Sequence, residues 1–206
     1  MINEARISRD LIVIGASAGG VSAISTLLEQ LPHDLPAAVA IVLHRSPFHE
    51  TQLPAVLGRR SDLVVMEPSD GDPIKRGTVY IAPRDQHMLI DRDIIRLDRG
   101  PKQHRTRPAV DPLFRSASEN YGPRVVGVIL SGMGSDGVSG LIAIKAGGGI
   151  SLVQSPAEAQ FPVMPNHALK EDDVDGTLPV HGIAAALRVL AAGGVVGNGA
   201  SRVAAR

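Results

Sequence analysis

The sequence predicts an α/β fold: a three-layer αβα domain on a mostly parallel, doubly wound sheet, with a short antiparallel hairpin insertion. Three observations carry this. Continuous apolar runs rich in Val and Ile recur at 11–14, 39–43, 125–130 and 150–153, each bounded by Gly, Pro or Ser, the pattern of strands buried on both faces. Segments of helical spacing lie between them, so strands and helices alternate. One stretch, 78–97, breaks the alternation with short runs of strand period.

Taken in order, the run at 11–14 passes through Gly15 to Gly20 into a helix whose Val21, Ile24, Leu27, Leu28 and Leu31 share one face. The second run, 39–43, ends in His44. Segments 78–81, 87–90 and 94–97 are separated by Arg-Asp pairs and Pro83, which predicts hairpins inserted at an edge or over a face. The run at 125–130 leads through a second glycine cluster, 131–137, into a helix over 138–146 with Leu141 and Ile144 inward. A strand at 150–153 and a terminal helix over 183–190 complete the pattern. Residues 1–192 are expected to form one domain. The glycine-rich tail, 193–206, is expected to be flexible and without chemistry.

Of the 206 residues, 44% are hydrophobic and 20% charged. A second domain of about 100 to 150 residues would leave too little chain for the first, so no regulatory module is expected. The 21 basic and 21 acidic side chains cancel, and without a block of like charge there is no electrostatic footprint for nucleic acid or an anionic membrane. Three Phe, two Tyr and no Trp offer no stacking platform for single strands. The absence of Cys excludes disulfides, thiolate zinc sites and a cysteine nucleophile, leaving Ser, Thr, Lys or a carboxylate for covalent catalysis. No apolar run approaches the roughly 18 residues a bilayer crossing needs, and the N-terminus lacks a signal-type apolar region. A cytoplasmic protein, not an integral membrane one, is expected.

The first glycine-rich turn, Gly15-Ala16-Ser17-Ala18-Gly19-Gly20, follows a strand and opens a helix. Such a turn leaves backbone N–H groups free to meet an anion or oxyanion. As a dinucleotide motif it carries Ser17 at the second glycine position, where a side chain crowds a pyrophosphate. As G-x-S-x-G it matches the nucleophile elbow; a tight turn with a capping serine is the plainer alternative. The next strand ends in His44, where a dinucleotide fold wants an acid. That histidine is either a structural hydrogen-bonder or, projecting from the same sheet edge as Ser17, its base. In the second cluster Gly132, Gly134 and Gly137 match G-x-G-x-x-G, yet the following strand ends in Gln154, so the dinucleotide reading fails again. Asp136 is either a helix N-cap or the third member of a Ser, His, Asp set at the carboxyl ends of the strands. The chain order differs from that of α/β-hydrolases, whose elbow also follows several earlier strands; triads are recognised by geometry.

These residues resemble a known family, the chemotaxis protein-glutamate methylesterases of the CheB type, in their catalytic domain. The matching segments are IGASAGG at 14–20, the strand ending in His44, VYIAPRDQHM at 79–88, RPAVDPLF at 107–114, GVILSGMGSDG at 127–137 and QSPAEAQFPVMP at 154–165. The resemblance implies Ser17 as nucleophile, His44 as base, Asp136 as its orienting acid, and the backbone N–H groups of Ala18 and Met133 as oxyanion donors. It implies hydrolysis of glutamyl methyl esters on a chemoreceptor or similar signalling protein, with deamidation of glutamines by the same machinery. No cofactor or metal is required. A methyltransferase or a separate receiver protein are further partners it suggests, since family members commonly carry a receiver domain ahead of this unit and none is read here. Two departures, Ala18 in place of a common Thr and Arg45-Ser46-Pro47 in place of Met-Pro, bear on substrate preference.

Two rival functions remain at this level: a catalytically silent module that binds a receptor, and a nucleotide-binding enzyme. Around the triad, His87 is either a substrate contact or a turn stabiliser. His104, Arg105, Arg107 and Asp111 either frame a cleft or, for Arg107-Pro108 and Asp111, cap a helix. His33, His49, His167 and His181 show no metal-ligand spacing.

Overall fold

A computed structural model describes residues 7–45 and 52–196. The elements run β1 (Leu11–Ala16), α1 (Gly20–Leu28), β2 (Ala38–Leu43), α2 (Leu53–Gly58), β3 (Val64–Met66), β4 (Thr78–Ile81), β5 (His87–Asp91) and β6 (Ile94–Asp98). They continue as α3 (Val110–Tyr121), a 3-10 turn (Gly122–Arg124), β7 (Val125–Ile129), α4 (Val138–Ala146), β8 (Ile150–Gln154), α5 (Val163–Glu171), β9 (Gly176–Leu178) and α6 (Val180–Ala191).

The seven-stranded sheet has the order β3-β4-β2-β1-β7-β8-β9, and every neighbouring pair in it is parallel. Because side chains alternate across a strand, each central strand feeds two cores. Ile12 and Ile14 pack with Ile24, Leu27 and Leu28 of α1 and Ile183 and Leu187 of α6. Leu11 and Val13 pack on the other face with Leu113 and Phe114 of α3 and Leu141 and Ile144 of α4. These are the three layers expected. Each fully buried Leu or Ile contributes roughly 1.5–3 kcal/mol, which is how a core nearly free of aromatics suffices.

The expected hairpins at 78–97 need correcting. Residues 78–81 are not part of an inserted hairpin; they form β4, an inner strand of the main sheet between β2 and β3. Paired on both edges and buried at all four positions, β4 has too few residues to display the unbroken apolar run of a longer inner strand. Only β5 and β6 pair antiparallel; they lie against α3, where Ser116 Oγ accepts from the Ile90 N–H and Asn120 donates to the Ile90 carbonyl. The edge strands β3 and β9, three residues each, are too short to leave a period in the sequence. Val21, expected on the inward face of its helix, is 41% exposed. Gly193 and Gly194 donate back to Leu190 and Val189 and so close α6; residues 197–206 of the expected tail lie outside the described residues. Among the described residues no helix is long and apolar enough to cross a membrane.

The strand order does the positioning. The sheet grows outward in both directions from β1, so loops after β1, β2 and β7 meet at one carboxyl edge, the topological switch point where ligands bind in open α/β sheets.

Candidate active site

Ser17 is the first residue after β1. Its N–H donates to the Ser131 carbonyl (3.0 Å), and Gly20 N–H donates back to the Ser17 carbonyl (2.9 Å), closing a tight turn. The cap of α1 is Gly19, at φ 72, with no side-chain cap, so Ser17 is not a capping serine. Gly19 is required twice over: its φ lies in the left-handed region, and a Cβ there would come within 2.7 Å of Ser131 Oγ. Ser17 is left half-buried.

His44 follows β2. The β1–β2 register pairs Ala16 with Leu43, and the His44 N–H donates to the Ala16 carbonyl (3.0 Å), so Ser17 and His44 are the first residues past the ends of two adjacent strands and line one cavity. The ring Nε2 of His44 sits 2.7 Å from Asp136 Oδ2. That contact occupies Nε2 and leaves Nδ1 for a second partner. Thr106 Oγ1, a residue the sequence does not single out, stands 3.5 Å from the same Nε2.

Asp136 is buried, and it is not the cap of α4, which is Gly137 at φ 95. Its carboxylate instead caps α3: Val110 N–H donates to Oδ2 (2.7 Å) and Asp111 N–H to Oδ1 (3.0 Å). Burial pushes its pKa up, but the hydrogen bonds from His44, Val110 and Asp111 outweigh burial and hold it below the ordinary aspartate value. The group is therefore a carboxylate at neutral pH, able to orient an imidazole and stabilise its protonated form.

At the backbone of Gly132 the second glycine loop runs against the first: a Cβ would fall 2.9 Å from Ser17 Cβ and 2.6 Å from Met164 Sδ. Gly132 N–H is engaged by the Phe161 carbonyl (2.9 Å), whereas among the described residues the N–H groups of Ala18 and Met133 have no acceptor. Two residues missed by sequence reasoning hold the loops together. Ser131 donates through Oγ to the Ala18 carbonyl (2.9 Å) and accepts from Phe161 N–H (3.0 Å). Gln154, where a dinucleotide fold would want an acid, is buried and accepts from Ser131 N–H (2.8 Å). A buried Gln at a strand end, rather than an acid, was the one available signal.

Ser17 and His44 open into a cavity of about 280 Å³ walled by Val21, Leu43, Leu53 and Val56, with Arg45 at its side. This explains why Val21 faces outward. Ser46, Pro47 and His49 lie outside the described residues.

The remaining candidates fall away from the cavity. His87 is buried, its Nε2 3.0 Å from the Pro101 carbonyl and its Nδ1 accepting from Ala109 N–H (3.2 Å), so it braces the loop before α3. Arg107 donates to Asp85 and to the Arg99 and Gly100 carbonyls. Arg105, His33 and His181 are exposed, and His167 Nδ1 lies 2.7 Å from the Gly134 carbonyl. His104 Nε2 contacts Asp111 Oδ2 at 2.9 Å. Among the described residues, His104, Asp111 and Asp136 are the one group with ligand-type atoms within 4.8 Å of one another. Their hydrogen bonds account for them without an ion.

A family model described as CheB methylesterase matches residues 12–187. The chain belongs to the CheB methylesterase family. An Anaeromyxobacter dehalogenans relative named protein-glutamate methylesterase/protein-glutamine glutaminase 2 is 42% identical over 181 residues, covering 88% of this chain and 53% of the relative. A Xanthomonas campestris relative, named as form 1 of the same pair of activities, is 41% identical over 186 residues, covering 88% of this chain and 52% of its own. The chain thus spans about half the length of these curated relatives. A Leptospira interrogans relative, 37% identical over 176 residues, is covered to 91% of its length and covers 85% of this chain. The crystal structure of the Thermotoga maritima CheB methylesterase catalytic domain superposes with a TM-score of 0.84 at 33% identity, over 88% of this chain and 98% of that one. The CheB fold is therefore shared across essentially the whole solved catalytic domain.

Proposed function

We propose that the protein is a serine carboxylesterase that hydrolyses glutamyl methyl esters on a chemoreceptor or related signalling protein, and that it deamidates glutamines with the same residues. The observation that carries this is His44, which lines one cavity with Ser17 while its Nε2 lies 2.7 Å from the buried Asp136 carboxylate.

The chemistry runs through His44 Nδ1. With Nε2–H donating to Asp136, Nδ1 carries the lone pair and accepts the Ser17 proton as Oγ attacks the ester carbonyl, a hydrogen bond that forms as substrate binds. Asp136 holds the tautomer and stabilises the imidazolium. The oxyanion is met by the Ala18 and Met133 N–H groups, each worth about 3–4 kcal/mol in comparable sites. The imidazolium returns its proton to the departing methoxide, methanol leaves, and an acyl-Ser17 ester remains. Water, deprotonated by His44, then attacks that ester, and collapse releases the γ-carboxylate and restores Ser17. With a glutamine substrate the leaving group is ammonia. A cavity of about 280 Å³ with an apolar wall suits one extended side-chain end bearing a methyl group, below the span of typical drug-sized pockets.

In this reading residues 1–192 act as one catalytic unit, working in the cytoplasm on methylated glutamates of a receptor, with a methyltransferase as its opposing activity and a receiver protein as its regulator. The test is methanol release from a methylated receptor, with ammonia release from its glutamine form measured in parallel. Wild-type protein releases methanol and Ser17→Ala does not. Methanol release that is absent from wild type, or equal in Ser17→Ala, overturns the proposal.

A further inference from the structure

The starts of α3 and α4 exchange carboxylates. Asp136, just ahead of α4, accepts from the first two N–H groups of α3. Asp111, the second residue of α3, accepts through Oδ1 from Gly140 N–H (2.7 Å) in the first turn of α4. Each helix thus caps the other's N-terminus with a buried side chain, in a geometry where helix dipole and hydrogen bonds both favour negative charge. The glycine at 140 permits the close approach: a Cβ there would sit 2.4 Å from Phe114 Cβ and 3.1 Å from Asp111 Oδ1.

The second oxygen of Asp111 is engaged as well. His104 Nε2 contacts Asp111 Oδ2 at 2.9 Å and lies 3.9 Å from Asp136 Oδ1. Asp111 is 2% exposed and His104 41%, so a solvent-facing imidazole closes a buried carboxylate. Arg115 of α3 adds a bond to Ser139 of α4 (3.1 Å) and one to Gln103 (2.6 Å). The titratable and charged groups facing Asp111 are therefore His104 and Asp136, with His44 behind Asp136 and Arg115 one turn along.

We infer that Asp111 is a positioning residue for the reaction: by tying the start of α4 to α3 it holds the Val110 and Asp111 N–H groups on Asp136 and so holds Asp136 on His44. It touches no reacting atom. Its effect arrives through the orientation and basicity of His44. The inference rests on the esterase reading.

The structure supplies a conservative variant. Asp111→Asn keeps an oxygen acceptor for Gly140 N–H, whereas Asp111→Ala removes it. Methanol release is measured from methylated receptor for wild type, Asp111→Ala, Asp111→Asn and Ser17→Ala, per folded protein counted from the amplitude of the thermal unfolding transition, across pH. Asp111→Ala is expected to lose kcat by about 10- to 100-fold, the scale of a misplacement near 1 Å, with KM within about twofold. The acid limb of its kcat/KM profile moves to lower pH, because a base that loses its carboxylate partner becomes weaker. Asp111→Asn is expected to keep kcat within about fivefold of wild type and leave that limb in place. Should Asp111→Ala not fold, Asp111→Ser, with a hydroxyl too short to span the same gap well, reads the same quantities.

A kcat per folded protein and an acid limb equal to wild type in the Ala and Ser variants, with only a lower melting temperature, overturns the inference and makes Asp111 merely structural. Loss in Asp111→Asn as deep as in Asp111→Ala also overturns it. An inactive wild type, or an active Ser17→Ala, is the failure of the esterase reading instead, so the two outcomes cannot be confused.

Discussion

The two glycine turns of this protein share one construction and meet opposite demands. Each follows a central strand, each ends in a glycine at positive φ that caps a helix without a side chain (φ 72 at Gly19, φ 95 at Gly137), and each presents one reactive-type side chain at the sheet's carboxyl edge. In the first turn that side chain, Ser17, stands half-buried beside a cavity. In the second, Asp136 is buried and accepts three hydrogen bonds, from His44, Val110 and Asp111. A nucleophile has to be reachable by substrate, whereas an orienting carboxylate has to be saturated, since burying a charge without partners costs several kcal/mol. One local geometry serves both because the difference is supplied from outside: α3 places its N-terminus over the second turn, whereas the first opens into the cavity walled by Val21, Leu43, Leu53 and Val56.

Breaking the open turn has the largest expected effect. Ser17→Ala removes the proposed nucleophile and is expected to lower methanol release by on the order of 10⁴- to 10⁶-fold, while its melting temperature stays at the wild-type value, because among the described residues the hydroxyl makes no hydrogen bond. Breaking the saturated turn costs both activity and fold. Asp136→Ala is expected to reduce kcat by about 10⁴-fold and to lower stability by about 1–3 kcal/mol for each helix N–H left without an acceptor, read by urea titration. Where the two turns touch, Gly132→Ala forces a Cβ between Ser17 and Met164; about 1–3 kcal/mol of overpacking and a kcat loss on the order of 10²-fold from displaced Ser17 are expected, checked by the same two assays.

The gentlest test is acid. The folded pKa of Asp136 lies below its unfolded value of 3.8, so its contribution to stability is fully present above that value and is lost as pH falls through the depressed folded value. Stability measured by urea titration is therefore expected to decline as the pH drops below about 4, and less steeply in Asp136→Asn, which has no such group to titrate. An identical decline in both would assign acid sensitivity to other carboxylates.

How much of this was legible in the sequence follows the same division. Strands buried on both faces announce themselves as Val and Ile runs, so β1, β2, β7 and β8 were visible, and with them the ends that carry Ser17 and His44. The elbow string and a histidine at the next strand end pointed to the open half of the candidate site. The role of Asp136 was harder to see, because an Asp before a helix reads as that helix's own cap, whereas here it caps a helix 25 or so residues earlier in the chain. Only the packing of α3 on α4 makes that bond, and no local pattern encodes it. The same holds for Asp111, Gln154 and Ser131, whose partners lie 23 to 113 positions away. Strand β4 was misplaced because four residues are too few to distinguish an inner strand from a hairpin arm. Val21 carried a helical period and yet faces outward, since it belongs to the cavity wall.

The most direct test of the account is to map where a serine-reactive fluorophosphonate attaches. Intact mass and peptide mapping are expected to show one adduct, on Ser17, forming readily in wild type, far more slowly in His44→Gln and Asp136→Asn, and not at all in Ser17→Ala. An adduct on any other residue, or none in a preparation that releases methanol, would contradict Ser17 as the nucleophile activated by His44.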